Sequence, residues 1–221
     1  MVTMPKSSDV VPPVKRLAGR PVLTDQDRDR SRQKVLDCAA SVYGNVDYKS
    51  LRVDDLIQAS GISRPTFYSL FANKEEVLEL LVRQANDTLL QGVVDAVAHA
   101  HSPEQQLTLA LRAYVEWGCN AGPVVRAIYR EARIEDSPAY APRAQMLQAL
   151  GQLLQEHAGL AGYSPPSALV EACCIAIEHL GSRLFAAEFI SPELKDQTLQ
   201  HMHRVASVLF PESDLCAPHA I

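Results

Sequence analysis

The chain has 221 residues, 47% of them hydrophobic, and a formal net charge of −5. That is enough for a small unit of about 60 residues and a larger one of about 140, each with its own core, and the acidic total argues at first sight against a nucleic-acid partner. No stretch approaches the roughly 18 apolar residues needed to cross a bilayer, and Met1 to Val14 lacks a charged start followed by an apolar run, so a cytoplasmic protein without membrane contact is expected.

In chain order, Lys15-Arg16-Leu17-Ala18-Gly19-Arg20-Pro21 is basic and punctuated by Gly and Pro, which disfavours a helix and predicts a flexible arm over residues 1–21. A helix is predicted over Arg32 to Gly44, with Val35, Leu36, Ala39, Ala40, Val42 and Tyr43 as its packing face. Residues 53 to 74 then fit two short helices joined by a tight turn. Val53, Leu56, Ile57 and Ser60 recur at helical spacing, and Asp54 and Asp55 occupy the first turn, where carboxylates favour the positive end of the helix dipole. Gly61 stands where a helix commonly ends in a left-handed residue, and Ile62 is able to plug the corner. Ser63 is a good N-cap, and Pro65 lies in the first turn, where its missing N–H costs no intrahelical bond. Phe67, Leu70 and Phe71 share one stripe, which directs Arg64, Thr66, Tyr68 and Ser69 elsewhere.

The outward side has the chemistry of a groove reader. Arginine pairs bidentately with guanine, while hydroxyls and the N–H groups of a helix start bind phosphate. A helical hairpin with a solvated polar face is the plainer reading of helix-Gly-helix taken alone. The wider context favours DNA: the segment resembles the TetR family of bacterial transcription regulators, through Gly61-Ile62-Ser63-Arg64-Pro65-Thr66-Phe67-Tyr68 and Phe71-Ala72-Asn73-Lys74-Glu75, over roughly residues 20 to 80. The resemblance implies phosphate contacts from Ser63, Thr66, Tyr68 and Lys74 and base contacts near Arg64 and Pro65, with Phe67 and Phe71 in the core. Two positions depart from the family. Arg52 stands where members often have a Thr that caps the helix and touches phosphate, so backbone binding gains and a cap is lost. Ile57 replaces a frequent Ala and adds bulk at the crossing of the two helices. Arg16 and Arg20 are expected to follow the phosphate backbone or enter a neighbouring minor groove, as basic arms do, the alternative being a solvated tail.

Charge distribution removes the objection raised by the total. Residues 15–74 hold 11 Lys or Arg against 7 Asp or Glu, a net of +4 that leaves −9 for the rest of the chain. A positive head on an acidic body predicts orientation-specific, salt-sensitive DNA binding.

Beyond residue 74 the chain reads as helices near 74–99, 103–120, 123–134, 138–158, 166–189 and 192–209. The starts are marked by Ser102-Pro103, Ser137-Pro138, Ser164-Pro165 and Ser191-Pro192, with Gln105 completing a capping box with Ser102, and Gly118, Gly122, Gly159 and Gly162 supply breaks. With the three upstream helices this makes nine, the number the resemblance implies. The expected fold is all-α: an N-terminal helix-turn-helix domain over 22–73, a larger helical effector-binding and dimerisation domain over 74–212, and a tail over 213–221. The last two helices carry broad apolar faces. The resemblance implies that they pair with a second copy as a four-helix bundle, and Cys173, Ile177, Leu180, Leu184, Met202, Val205 and Leu209 are the candidates for that interface. Closure of the subunit's own core is the alternative. A homodimer would set two recognition helices about 34–36 Å apart or somewhat wider, matching a palindromic operator in double-stranded DNA.

In the family a central pocket takes a small-molecule effector that releases DNA. The polar or aromatic residues scattered through the central helices, Tyr114, Trp117, Cys119, Tyr129, Glu178 and His179, are its candidate lining. The five cysteines are scattered without a Cys-x-x-Cys pair, and adjacent Cys173 and Cys174 read as small core residues. His99 and His101, like His201 and His203, are two apart and on a helix point about 200° from each other, so neither pair chelates a metal locally. There is no Gly-rich phosphate loop, His-Glu-x-x-His or nucleophile elbow, so no enzymatic activity, cofactor or metal is expected. The sequence therefore predicts a DNA-binding transcriptional regulator, a repressor released by an effector. The alternatives are a structural DNA-binding protein of the same fold, of the nucleoid-occlusion type, whose output is a protein contact, and a helical enzyme or carrier that ignores DNA.

Overall fold

The computed structural model describes residues 24–160 and 162–209, and among them every regular element is helical. The arm with Arg16 and Arg20, the tail over 213–221 and Cys216 lie outside the described residues. The first helix, α1 (Asp25–Asn45), begins well before the predicted Arg32 because Thr24 caps it, accepting from the Asp27 N–H. α2 (Val53–Ser60) ends at Gly61 with φ 63° and ψ 23°, the left-handed conformation that glycine adopts without strain. α3 (Arg64–Leu70) starts on Ser63, whose hydroxyl accepts from Thr66 N–H. α4 (Lys74–Val97) starts on Asn73, whose side chain accepts from Glu76 N–H at 2.8 Å.

The remaining helices are α5 (Pro103–Asn120), α6 (Pro123–Glu131), α7 (Tyr140–Leu160), α8 (Ser167–Phe185) and α9 (Pro192–Ala206), closed by a 3-10 turn at Ser207–Leu209. Ser102 and Ser191 cap α5 and α9 as predicted. Gln105, however, reaches back to the N–H of His101, not to that of Ser102, one residue off the expected capping box. Neither Ser137 nor Ser164 is the N-cap of a helix: α7 starts at Tyr140, with the Ser137 hydroxyl donating to Glu131 and accepting from the Ala139 N–H, and α8 starts after Pro166. His99 and His101 fall in the turn beyond α4, where the helical angle between them no longer applies.

Two of the predicted breaks are interior positions. Gly118 lies inside α5 because the Phe185 ring occupies the space of a β-carbon, which would meet Cζ at 2.0 Å. Gly159 lies within α7. Gly122 and Gly162 do break the chain, at φ 65° and 82°.

Packing produces two large cores. The first joins α1, α2, α3 and the start of α4 around Tyr43, Leu56, Phe67 and Phe71, and takes in Val124 and Ile128 of α6. The head is therefore built against the body and does not hang from it. The second core lies between α4, α5, α7, α8 and α9, around Trp117, Leu184, Phe185 and Met202.

Four of the seven expected dimer residues are not free to meet a second copy. Cys173, Leu184, Met202 and Leu209 are buried within the subunit, and Ile177, Leu180 and Val205 pack partly buried against the same cores. The widest apolar stripes of α8 and α9 face each other and α5, so they close the protomer. Helical spacing leaves a second stripe outside: Ala168, Ala172, Ile175 and His179 on α8, with His201, Arg204 and Val208 along α9 and its end, Ile175 being 53% and Val208 57% exposed. Burial also raises the Cys173 and Cys174 thiols, the latter to about 11, which leaves them protonated and unreactive at neutral pH.

Candidate nucleic-acid interface and central cavity

The short helix α3 is held along its inner stripe and at its C-terminal end. Phe67 and Leu70 point into the first core, and the carbonyls that end the helix are taken by α1: Arg28 donates to Ser69 O and Arg32 to Leu70 O, each at 3.1 Å. Arg32 also lies 4.9 Å above the Phe71 ring and 3.7 Å from Glu76. These anchors fix how α3 presents its other side. Tyr68 stands 49% exposed, its ring edge-on to Phe67, and Pro65 and Ser69 are exposed beside it. Arg64 projects from the first turn into an ion pair with Asp54 of α2, and both side chains remain largely in solvent. Ser63 and Thr66 share a hydroxyl–hydroxyl hydrogen bond of 2.7 Å, so their oxygens sit together at the start of the helix.

Arg52 carries no side-chain cap. A guanidinium has no acceptor, so α2 relies on Asp55, whose carboxylate takes the Arg52 N–H at 2.7 Å. The Arg52 side chain is left exposed at the edge of the head.

Lys74 requires a correction. The sequence presents it as a point charge beyond the helix, but its ammonium donates to the carbonyls of Tyr48 at 2.9 Å and Leu51 at 2.8 Å, and lies 4.5 Å from the Tyr48 ring centroid. It ties the turn before α2 to the start of α4. The neighbouring tyrosines complete the joint: Tyr43 donates to Lys74 O and Tyr48 to Glu75.

The body contains an apolar cavity of about 210 Å³ between α4, α5, α7 and α8. Of the six predicted lining residues, Tyr114 and Glu178 border it. Tyr129 lies just behind Tyr114, their hydroxyls hydrogen-bonded to each other. Trp117 is a core residue, donating from its indole to Ala85 O at 3.0 Å. Cys119 is half-buried away from the cavity and His179 is on the outer stripe of α8.

The residue that sequence reading missed is Arg143. It is 2% exposed and donates to Glu178 at 2.5 Å, Asn86 at 3.1 Å and Tyr129 at 2.8 Å, which links α7 to α8, α4 and α6. Burial works against its charge, yet Tyr129, Glu178 and Tyr114 hold its pKa above the ordinary arginine value. The signal available in the sequence was the spacing Arg143, Leu147, Leu150, Leu154, His157, which places one charge on an otherwise apolar face.

The sequence model for bacterial regulatory proteins of the tetR family matches residues 35–81, which run from α1 into α4. The chain is 27% identical over 121 residues to the HTH-type transcriptional repressor LfrR of Mycolicibacterium smegmatis, covering 55% of this chain and 61% of that one. It is also 27% identical over 90 residues to the HTH-type transcriptional activator FasR of the same organism, covering 41% of each. The matched segments thus span less than two thirds of these relatives' lengths. In fold, a TetR-family transcriptional regulator from Rhodococcus sp. superposes with a TM-score of 0.66 at 17% identity, covering 81% of this chain and 98% of that one. The helix-turn-helix of this chain thus matches the tetR-family sequence pattern over residues 35–81, and its described residues share the fold of these regulators.

Proposed function

We propose that this chain is a sequence-specific, DNA-binding transcriptional regulator, a cytoplasmic repressor that leaves a palindromic operator when a small molecule fills its central cavity. One observation carries the DNA reading: α3 is anchored through Phe67, Leu70 and two arginine-capped carbonyls while Arg64 and Tyr68 stay outside. Arg64 and Pro65 meet base edges, and Ser63, Thr66, Tyr68 and the exposed Arg52 meet phosphates, with Arg16 and Arg20 extending the contact. Repression follows the name of the relative matched over the longer segment, LfrR; FasR, named an activator, makes activation the outcome to test against.

Two copies join through the outer stripes of α8 and α9, centred on Ile175 and Val208. The division into a reading head over 22–73 and a ligand-binding and dimerisation body over 74–212 supplies the switch. Arg143 connects the cavity to α4 and α6, and Arg130 of α6 donates to the carbonyls of Tyr43 and Val46 at the end of α1. An effector that binds the DNA-incompetent arrangement more tightly moves the heads through these contacts.

The test is genome-wide mapping of bound sites with gel-shift titration of the recovered sequences. One or a few palindromic sites over promoters support the regulator. Many dispersed sites without promoter overlap favour the nucleoid-organising alternative, and no duplex binding refutes both.

A further inference from the structure

We propose that the central cavity takes an elongated, uncharged apolar molecule, such as the ester of a long alkyl chain, and selects against carboxylates and organic cations of the same length. This inference rests on reading the cavity as the effector site.

Its shape comes from α7. Arg143, Leu147, Leu150, Leu154 and His157 lie on one face and all border the cavity, so the space runs along about 21 Å of helix at 1.5 Å per residue. The walls between the ends are mainly leucine, valine and isoleucine from four helices, with the Gln106 side chain also on the lining. That suits a long chain better than a compact polar ligand.

Charge at the lower end is already balanced. Arg143 is paired with Glu178, and its remaining contacts go to Asn86 and Tyr129. A carboxylate entering here would confront Glu178, and a cation would confront Arg143. Either would bring an unmatched charge into an apolar enclosure, which is costly without a partner.

The polar groups at this end are spent on one another. The Tyr129 oxygen accepts from Arg143 and shares a hydrogen bond with the Tyr114 hydroxyl, which lies against Gly181. The cavity wall therefore presents almost no polar surface, and a ligand that needs no hydrogen bond there loses nothing on entry.

Trp117, the single tryptophan, stacks on Tyr114 with ring centroids 6.1 Å apart and so reports occupancy through that cavity-lining ring. The full chain is titrated with methyl decanoate, decanoate and decyltrimethylammonium, reading Trp117 emission and the melting midpoint. Methyl decanoate is expected to bind at least tenfold more tightly than either ion, about 1.4 kcal/mol. Glu178→Gln, which keeps an acceptor for Arg143 but removes the balancing charge, is expected to shift the preference toward decanoate.

Equal or tighter binding of either ion to the unaltered chain, or no response to the ester, overturns the proposal whether or not the variant folds. Duplex binding is measured on the same preparation. Intact DNA binding without an ester response refutes the ligand class alone, whereas an ester response without DNA binding refutes the regulator reading and leaves the ligand class standing.

Discussion

Replacing Lys74 with methionine separates the phosphate contact expected from the sequence from the internal tie that the fold gives this residue. The substitution keeps most of the aliphatic stem and deletes the ammonium, with its hydrogen bonds to Tyr48 O and Leu51 O and its position over the Tyr48 ring. A hydrogen bond involving a charged group contributes about 1.5–3 kcal/mol and a cation–π contact about 0.5–1 at exposed sites. The ammonium is only half-buried, so water replaces part of what is lost and a net cost of about 2–4 kcal/mol is expected. For a chain of this size that lowers the melting midpoint by roughly 4–16 °C. At a temperature where both forms are folded, the salt dependence of DNA binding should stay unchanged. Losing one phosphate contact would instead make the log–log slope shallower by about 0.9. The assays are thermal denaturation by circular dichroism and fluorescence anisotropy with a labelled operator at several salt concentrations. A variant that melts within a degree of the parent but loses that slope would show that Lys74 faces the duplex, and the reasoning from its internal contacts would be wrong.

Arg64→Ala should cost about 1–3 kcal/mol at the cognate site and relax preference at one operator position, measured by competition among single-base variants; equal weakening on every sequence would mean that Arg64 contacts phosphate only. Ile175→Asp places a charge in the outer stripe of α8, where a surface substitution ordinarily changes stability by less than about 0.5 kcal/mol, and should convert a dimer to monomers in sedimentation velocity without lowering helix content; an unchanged dimer would place the interface elsewhere. Gly118→Ala drives a β-carbon into the Phe185 ring and should destabilise by about 1–3 kcal/mol in urea titration; a neutral effect would mean that Phe185 has room to swing aside. Burial holds the Tyr43, Tyr48, Tyr114 and Tyr129 hydroxyls above their ordinary value. The unfolded chain therefore loses these protons first, so their contribution is complete below about pH 10 and declines as pH rises above it. The melting midpoint should fall from about pH 10 upward, and a flat profile through pH 11 would refute the assignment of these hydroxyls as buried.

The turn at Gly61, the cap at Ser63 and the inward stripe of Phe67 and Leu70 were legible in the sequence because each depends on residues within a few positions of one another. The same holds for the all-helical class and the caps at Ser102 and Ser191. Position on a helix also separated the exposed Arg64 and Tyr68 from the core. Only tertiary structure decided matters that join distant positions. The carbonyls that occupy Lys74 lie more than twenty residues upstream, and the space beside Gly118 belongs to a ring on α8. Which stripe of α8 closes the subunit and which remains outside depends on where α5 and α9 pack, since both stripes are helical in spacing. Arg143 shows the limit most clearly: a single charge on an apolar face reads as an anomaly until the partners from α4, α6 and α8 are brought to it. Local spacing fixes backbone conformation and the faces of each helix, whereas the pairing of buried polar groups is a property of the packed chain, because desolvation and partner geometry arise only when separate segments meet.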